Sequence, residues 1–255
     1  MSLPTDVVCI IAVYLAEYKL LNWIDINKIN WYWLSTNPNA IDLLKANPNK
    51  INWWALSRNP AAIELLITNQ DKICWNSLCI NPAAIELLLA NPDKIYLRKL
   101  SANPAAVDLL TANQSKIDWN GVSTNPAALD IIIKADQSKI DWNGVSGNPG
   151  AIKLLKANPD KINWYRFCMN ESAIDIIRAN PHKIHWIGLS ANPAAIDILL
   201  ANQDKIDWEF LSQNPNAIDL LKSNQDRINW DCISRNPSIF ELTINRDIVK
   251  ILLEM

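Results

Sequence analysis

The sequence predicts an all-α fold, an α-solenoid, and three observations predict it. A 22-residue unit opening on Ile recurs ten times, from Ile29, Ile51, Ile73, Ile95, Ile117, Ile140, Ile162, Ile184, Ile206 and Ile228. Within each unit the apolar residues fall at helical spacing. Gly is scarce (5) and Pro frequent (14), and the prolines stand in fixed columns of the repeat, as punctuation between short helices. A period in the range of roughly 20–50 residues marks an array of stacked units, each too small to bury its own apolar face.

The elements follow in chain order. Residues 1–28 read as an N-terminal helical cap, with an apolar helix from Val7 to Leu21 and a degraded lead-in, Asn22 to Lys28. Residues 29–236 are the array, and 237–255 a C-terminal capping helix centred on Asp247 to Leu253. In the unit Ile51–Lys72, Asn52 can cap a first short helix with Trp53 and Leu56 three apart on one face. Asn59-Pro60 then supplies an N-cap and a proline at the first helical position. Pro follows this Asn in nine units, with Glu171 the exception. Ile63, Leu65 and Leu66 form the stripe of a second helix, with Glu64 pointing outward and a stop near Asn69. One of the two helices is short enough to be 3₁₀. The unit from Ile117 carries one extra residue, near Lys134. Stacked at ~9–10 Å, ten such units predict a rod on the order of 90–100 Å. A leucine-rich repeat shares Leu-Ser-x-Asn-Pro, but it needs a strand, and the place after Trp holds Asn76, Arg98 and Asn120, against strand alternation.

Charge and cysteines bound the function. A net charge of −2 and a pI near 5.7 give no electrostatic footprint for nucleic acid. Cys9, Cys74, Cys79, Cys168 and Cys232 are scattered, which suits free thiols in a reducing compartment. Cys79 and Cys168 stand in a column otherwise held by Ser and read as small buried substitutes. The apolar run Val7 to Ala16 lacks a basic lead and is too short to span a bilayer, so a soluble, cytoplasmic protein without membrane contact is expected.

Most columns read as construction. Nine of the twelve tryptophans share one column, with Leu97 in the fourth unit, and Leu can replace Trp in packing but not in stacking on a base. The column reads as a core spine. An acidic column (Asp42, Glu64, Glu86, Asp108, Asp130, Asp175, Asp197, Asp219, Glu241) and a basic one (Lys50, Lys72, Lys94, Lys116, Lys139, Lys161, Lys183, Lys205, Arg227) match nearly one to one and read as solvated pairs. Information lies where the repeat varies. The position after Trp and the position four further on are irregular. There Tyr32, Thr36, Trp54, Arg58, Asn76, Ile80, Arg98, Tyr165, Met169, Glu209 and Gln213 are the candidate protein-binding residues. His182 and His185 stand beside no carboxylate or thiol motif, and no Gly-rich phosphate loop occurs. No catalytic residue, metal or cofactor is assigned, and a non-enzymatic protein is expected.

The unit Ile-Asn-Trp-x-x-Leu-Ser-x-Asn-Pro-x-Ala-Ile-x-Leu-Leu-x-Ala-Asn-Pro-x-Lys resembles the short tryptophan-containing repeats of giant DNA virus proteins, over residues 29–236. That resemblance implies a viral interaction scaffold in the host cytoplasm. The Asn-Pro turns are also similar, in architecture alone, to the leucine-rich variant repeat of alternating α and 3₁₀ helices. Leu3-Pro4-Thr5-Asp6-Val7 through Leu15 resembles the opening of an F-box, which implies docking of a cullin-ligase adaptor through Leu3, Pro4, Val7, Ile10 and Ile11. On that alternative the chain is a substrate receptor for a host ubiquitin ligase; a structural virion component is a further one.

Overall fold

The computed structural model describes residues 16–243. The repeat is helical throughout, and the strands among the described residues are two short ones at the chain ends, so the leucine-rich alternative falls away. In the unit from Ile51, Asn52 caps a first helix, Trp53–Leu56, by accepting from the Ala55 N–H. Asn59 then caps a 3₁₀ turn, Pro60–Ala62, which runs into the α-helix Ile63–Ile67. A second 3₁₀ turn, Gln70–Lys72, returns the chain to the next Ile. The acidic column stands in the first turn of the second helix, where the helix N-terminus favours negative charge. The extra residue of the fifth unit lies between the helix Leu129–Lys134 and the turn capped by Asp136.

Three columns are buried in nearly every unit. They are the residue three after Trp (Leu34, Leu56, Val122, Phe167), the Ala before the second helix (Ala40, Ala62, Ala151) and the second helix's inner Leu or Ile (Leu44, Leu66, Ile177). The Trp column is not this spine. Its rings are half-buried against the core, and in seven units the cation that closes the same unit lies over the ring. Lys50 Nζ, for example, is 4.4 Å from the Trp31 centroid and Lys205 Nζ 4.7 Å from that of Trp186. Six of the nine members of the basic column are therefore covers for tryptophan, while Lys94 and Lys161 pair with the adjacent Asp93 and Asp160. The expected pairing of the basic column with the acidic one does not occur. Among the described residues Asp197 is the one member of the acidic column in an ion pair, 2.8 Å from Arg178, which belongs to neither column.

Two polar ladders join the units. Asn59 Nδ2 donates to the carbonyls of Ser35 and Asn37, 24 and 22 residues earlier, at 3.1 and 2.9 Å, while its Oδ1 caps its own turn. The same rung recurs from unit to unit. In parallel, Ser35 Oγ accepts from the Asn52 N–H of the next unit and donates to the Trp31 carbonyl. Cys79 and Cys168 take this place with their sulfurs, each accepting an N–H from the next unit at 3.3 Å. Both thiols are held above their ordinary range by burial, only partly offset by that hydrogen bond.

The ladders do not end, and this corrects the expected rod with two separate caps. Asn37 of the first unit donates to the carbonyls of Ser234 and Asn236 in the last, at 3.2 and 2.9 Å. The Asn30 N–H donates to Ser234 Oγ at 2.9 Å, and Lys28 Nζ lies 5.0 Å from the Trp230 centroid. These are the contacts that successive units make elsewhere, so the array closes into a ring of ten units with no net rise. The contour of the expected rod becomes a circle about 30 Å across at mid-wall.

The tenth unit is built from both ends of the chain. Its first helix, Trp230–Ile233, and its 3₁₀ turn, Pro237–Ile239, come from the C-terminal side. A two-stranded antiparallel ribbon replaces the second helix: β1, Glu17–Leu20, pairs with β2, Phe240–Thr243, with Lys19 opposite Glu241. The closing turn, Asp25 to Lys28, comes from the N-terminal side, its Lys28 N–H bonding to the Asp25 carbonyl as Lys50 does to Asn47. The helix expected from Val7 to Leu21 therefore does not include Glu17–Leu20, and the capping segment from 237 begins as turn and strand. The rest of both segments, with Leu3, Pro4, Val7, Ile10 and Ile11 of the F-box-like start, lies outside the described residues.

Candidate protein-binding face

From the fourth unit to the tenth, successive first helices pack against one another more closely than the second helices do, so they line the inner, shorter circumference of the ring. Glycines permit the approach on one arc. A Cβ at Gly121 would stand 2.8 Å from Ser101 Cβ, one at Gly144 would stand 3.0 Å from Ser123 Cβ, and one at Gly188 would meet the Tyr165 carbonyl oxygen. The Tyr165 ring contacts the Phe210 ring edge to face, 6.5 Å between centroids, although these residues belong to the seventh and ninth units. Contact across an intervening unit requires a strongly concave surface, and here it passes over Gly188.

Two clusters of large side chains stand on this face. One gathers where the ring closes. Tyr32 and Trp54, in the first and second units, stack at 5.8 Å with 14° between their planes. Trp33 meets Tyr32 edge to face at 4.6 Å. Arg58 lies 5.4 Å from the Trp54 centroid, and Arg235 of the tenth unit lies 3.6 Å from that of Trp33. Trp54 remains 44% exposed. The second cluster places Tyr165 against His185 at 4.9 Å and against Phe210, with Arg166 Cζ 6.0 Å from the Tyr165 centroid.

Of the residues singled out by variability, Tyr32, Trp54, Arg58 and Tyr165 enter these clusters. Met169 is half-buried beside Gly188 and lines a shallow hollow with Gly147, Pro149 and Pro193. Thr36 is turned inward, its hydroxyl donating to the Trp33 carbonyl at 2.7 Å. Arg98 pairs with Asp118 of the next unit at 3.7 Å. Asn76 and Glu209 are exposed, and Ile80 and Gln213 half-buried, without joining either cluster. Trp33, Phe210 and Arg166 come from a column not singled out, two places after Trp. Their signal was a large residue in a column held mostly by Gly, Ala, Ser and Cys.

Polar groups tie the rim of this face across unit boundaries. Asn163 Nδ2 donates to Asn143 Oδ1 at 2.7 Å, and Asn30 Nδ2 to Asp231 Oδ1 at 2.8 Å. Among the described residues no three His, Cys, Asp or Glu side chains converge as metal ligands. No helix there is long and apolar enough to cross a membrane. Compared with protein-family models, with curated proteins and with solved structures, the chain matches none.

Proposed function

We propose that the protein is a non-enzymatic protein-binding scaffold whose partner seats against the inner face of the ring. The observation that carries this reading is the division of labour among columns. The regular ones are consumed by the core, by the Asn and Ser ladders and by the Trp–cation covers. The irregular ones converge on one concave surface, where Tyr165 and Phe210 meet across a unit. Aromatic residues, Met and Arg on a concave, partly exposed wall are the types that dominate protein interfaces.

Affinity capture from cells with the tagged full chain tests it. Tyr165→Ala and Met169→Ala are expected to deplete a specific set of captured proteins, whereas Glu86→Ala on the second helix is expected to retain it. A captured set indifferent to both inner-face substitutions sinks the reading.

A further inference from the structure

Arg235, Trp33, Tyr32, Trp54 and Arg58 form an unbroken cation–aromatic chain across three units, with an arginine at each end. Among the described residues neither arginine has a carboxylate within ion-pair distance, unlike Arg98 and Arg178. Arg235 Nε is also buried without a hydrogen-bond partner, and it alone among the described side-chain nitrogens and oxygens stands so. A ligand does not reach Nε itself; an acceptor meets the outer Nη groups of the half-buried side chain, which have no hydrogen-bond partner among the described residues. Asp231, four residues before Arg235, instead accepts from Asn30 of the first unit.

We propose that this cluster binds an acidic peptide segment of a protein partner, with carboxylates on Arg235 and Arg58 and an apolar side chain against the Tyr32–Trp54 stack. Charge complementarity names the occupant, because guanidinium forks match carboxylates in geometry and charge. A single-stranded nucleic acid would use the same rings, but Asp207, Glu209 and Asp231 gather around Cys232 beside Arg235, and a polyanion long enough to run on past Arg235 meets them, whereas a short segment ends at the two arginines. A short acidic segment fits within the basic end of that charge pattern.

The cluster exists only in the closed ring, since Arg235 reaches Trp33 across the junction of the last and first units. Binding is therefore linked to closure: a ligand that needs both arginines stabilises the junction, and an opened ring loses the site. This inference rests on the scaffold reading and adds the partner's chemistry.

The test uses the full chain and two fluorescein-labelled peptides, one of alternating Glu and Leu and one of alternating Gln and Leu, with a labelled oligothymidine as third probe. Fluorescence polarisation should give the Glu peptide at least tenfold tighter binding than the Gln peptide. Arg58→Gln and Arg235→Gln should each weaken it about tenfold or more, and Glu86→Gln should leave it unchanged. Arg58 is exposed, so its variant reports on binding without endangering the fold. Bound peptide should also slow hydrogen exchange of the Leu21 N–H, which bonds to the Ile239 carbonyl across the junction. Equal affinity for the two peptides, indifference to both Arg substitutions, unchanged Leu21 exchange or preference for oligothymidine overturns the proposal. If it fails while capture still depends on Tyr165 and Met169, the acidic-segment assignment alone is lost. If that dependence is absent too, the scaffold reading goes with it.

Discussion

At the scale of single residues, one side chain type does two jobs, and only one of them was legible. Asn-Pro announced an N-cap, which uses the Asn oxygen. The amide nitrogen reaches carbonyls 22 and 24 residues earlier, and no local rule announces that. Asn103→Ala should therefore cost more than a lost cap, about 2–4 kcal/mol, because it orphans the buried Cys79 carbonyl and leaves the Asn81 carbonyl with the Ala84 N–H alone. Asn69→Ala removes one half-buried bond to Leu65 and should cost about 0.5–1.5 kcal/mol by urea unfolding. The Trp column reads from sequence as a buried spine because its cover, a Lys some 19 residues downstream at the end of the same unit, comes over the ring only when the unit folds back on itself. Trp119→Ala should then cost about 2–3 kcal/mol, at the low end for aromatic truncation, and Trp54→Ala under about 1. Thiol titration gives a further check. Burial keeps the Cys79 and Cys168 thiols neutral in the fold. Above the ordinary thiol pKa of about 8.5–9 the unfolded chain therefore holds fewer protons than the ring. Stability should be intact below that range and fall as pH rises through it, and Cys79→Ser with Cys168→Ser should flatten the fall.

At the scale of elements, the helices of the unit were readable from capping and spacing, and the ribbon was not. Glu17–Leu20 and Phe240–Thr243 each mix polar and apolar residues over four positions, too few to distinguish a strand from the end of a helix. Their pairing is settled by ring closure, at the longest sequence separation the chain offers. Lys19→Glu would set like charges opposite one another at Glu241. It should weaken the junction by about 0.5–1 kcal/mol, read as faster exchange at Leu21. Helix approach makes a second contrast. Gly188→Ala runs into backbone at Tyr165 and should cost about 1–3 kcal/mol and disturb the Tyr165–Phe210 contact. Gly147→Ala, with its nearest neighbours 4.0 Å away, should be tolerated.

At the scale of the whole molecule, a repeat period specifies the neighbour of each unit but not how sharply the stack turns. Curvature comes from a small difference in spacing between inner and outer layers, set here in part by Gly121, Gly144 and Gly188. One clue was available: Lys28, dismissed as part of a degraded lead-in, supplies the tenth cation for Trp230. Small-angle scattering should give a maximum dimension of about 50 Å for the described body, roughly half that of the rod. The variable columns were legible as a surface; that they face each other was not, because facing follows from closure.

The Asn ladder also has a consequence for how the molecule ages. Deamidation proceeds when the backbone nitrogen of the following residue attacks the Asn side-chain carbonyl and expels ammonia. Proline has no N–H with which to complete that ring. Nine rungs of the circle are thus protected by the residue that also starts their helix, and the tenth, Asn170, is followed by Glu171. Its amide makes the longest bond of the ladder, 3.3 Å to the Ser146 carbonyl. On prolonged incubation Asn170 should be the first rung to become an acid, detectable by peptide mass. The new carboxylate would face the carbonyls of Ser146 and Asn148, so the circle should part there before it parts anywhere else, and Glu171→Pro should postpone that event.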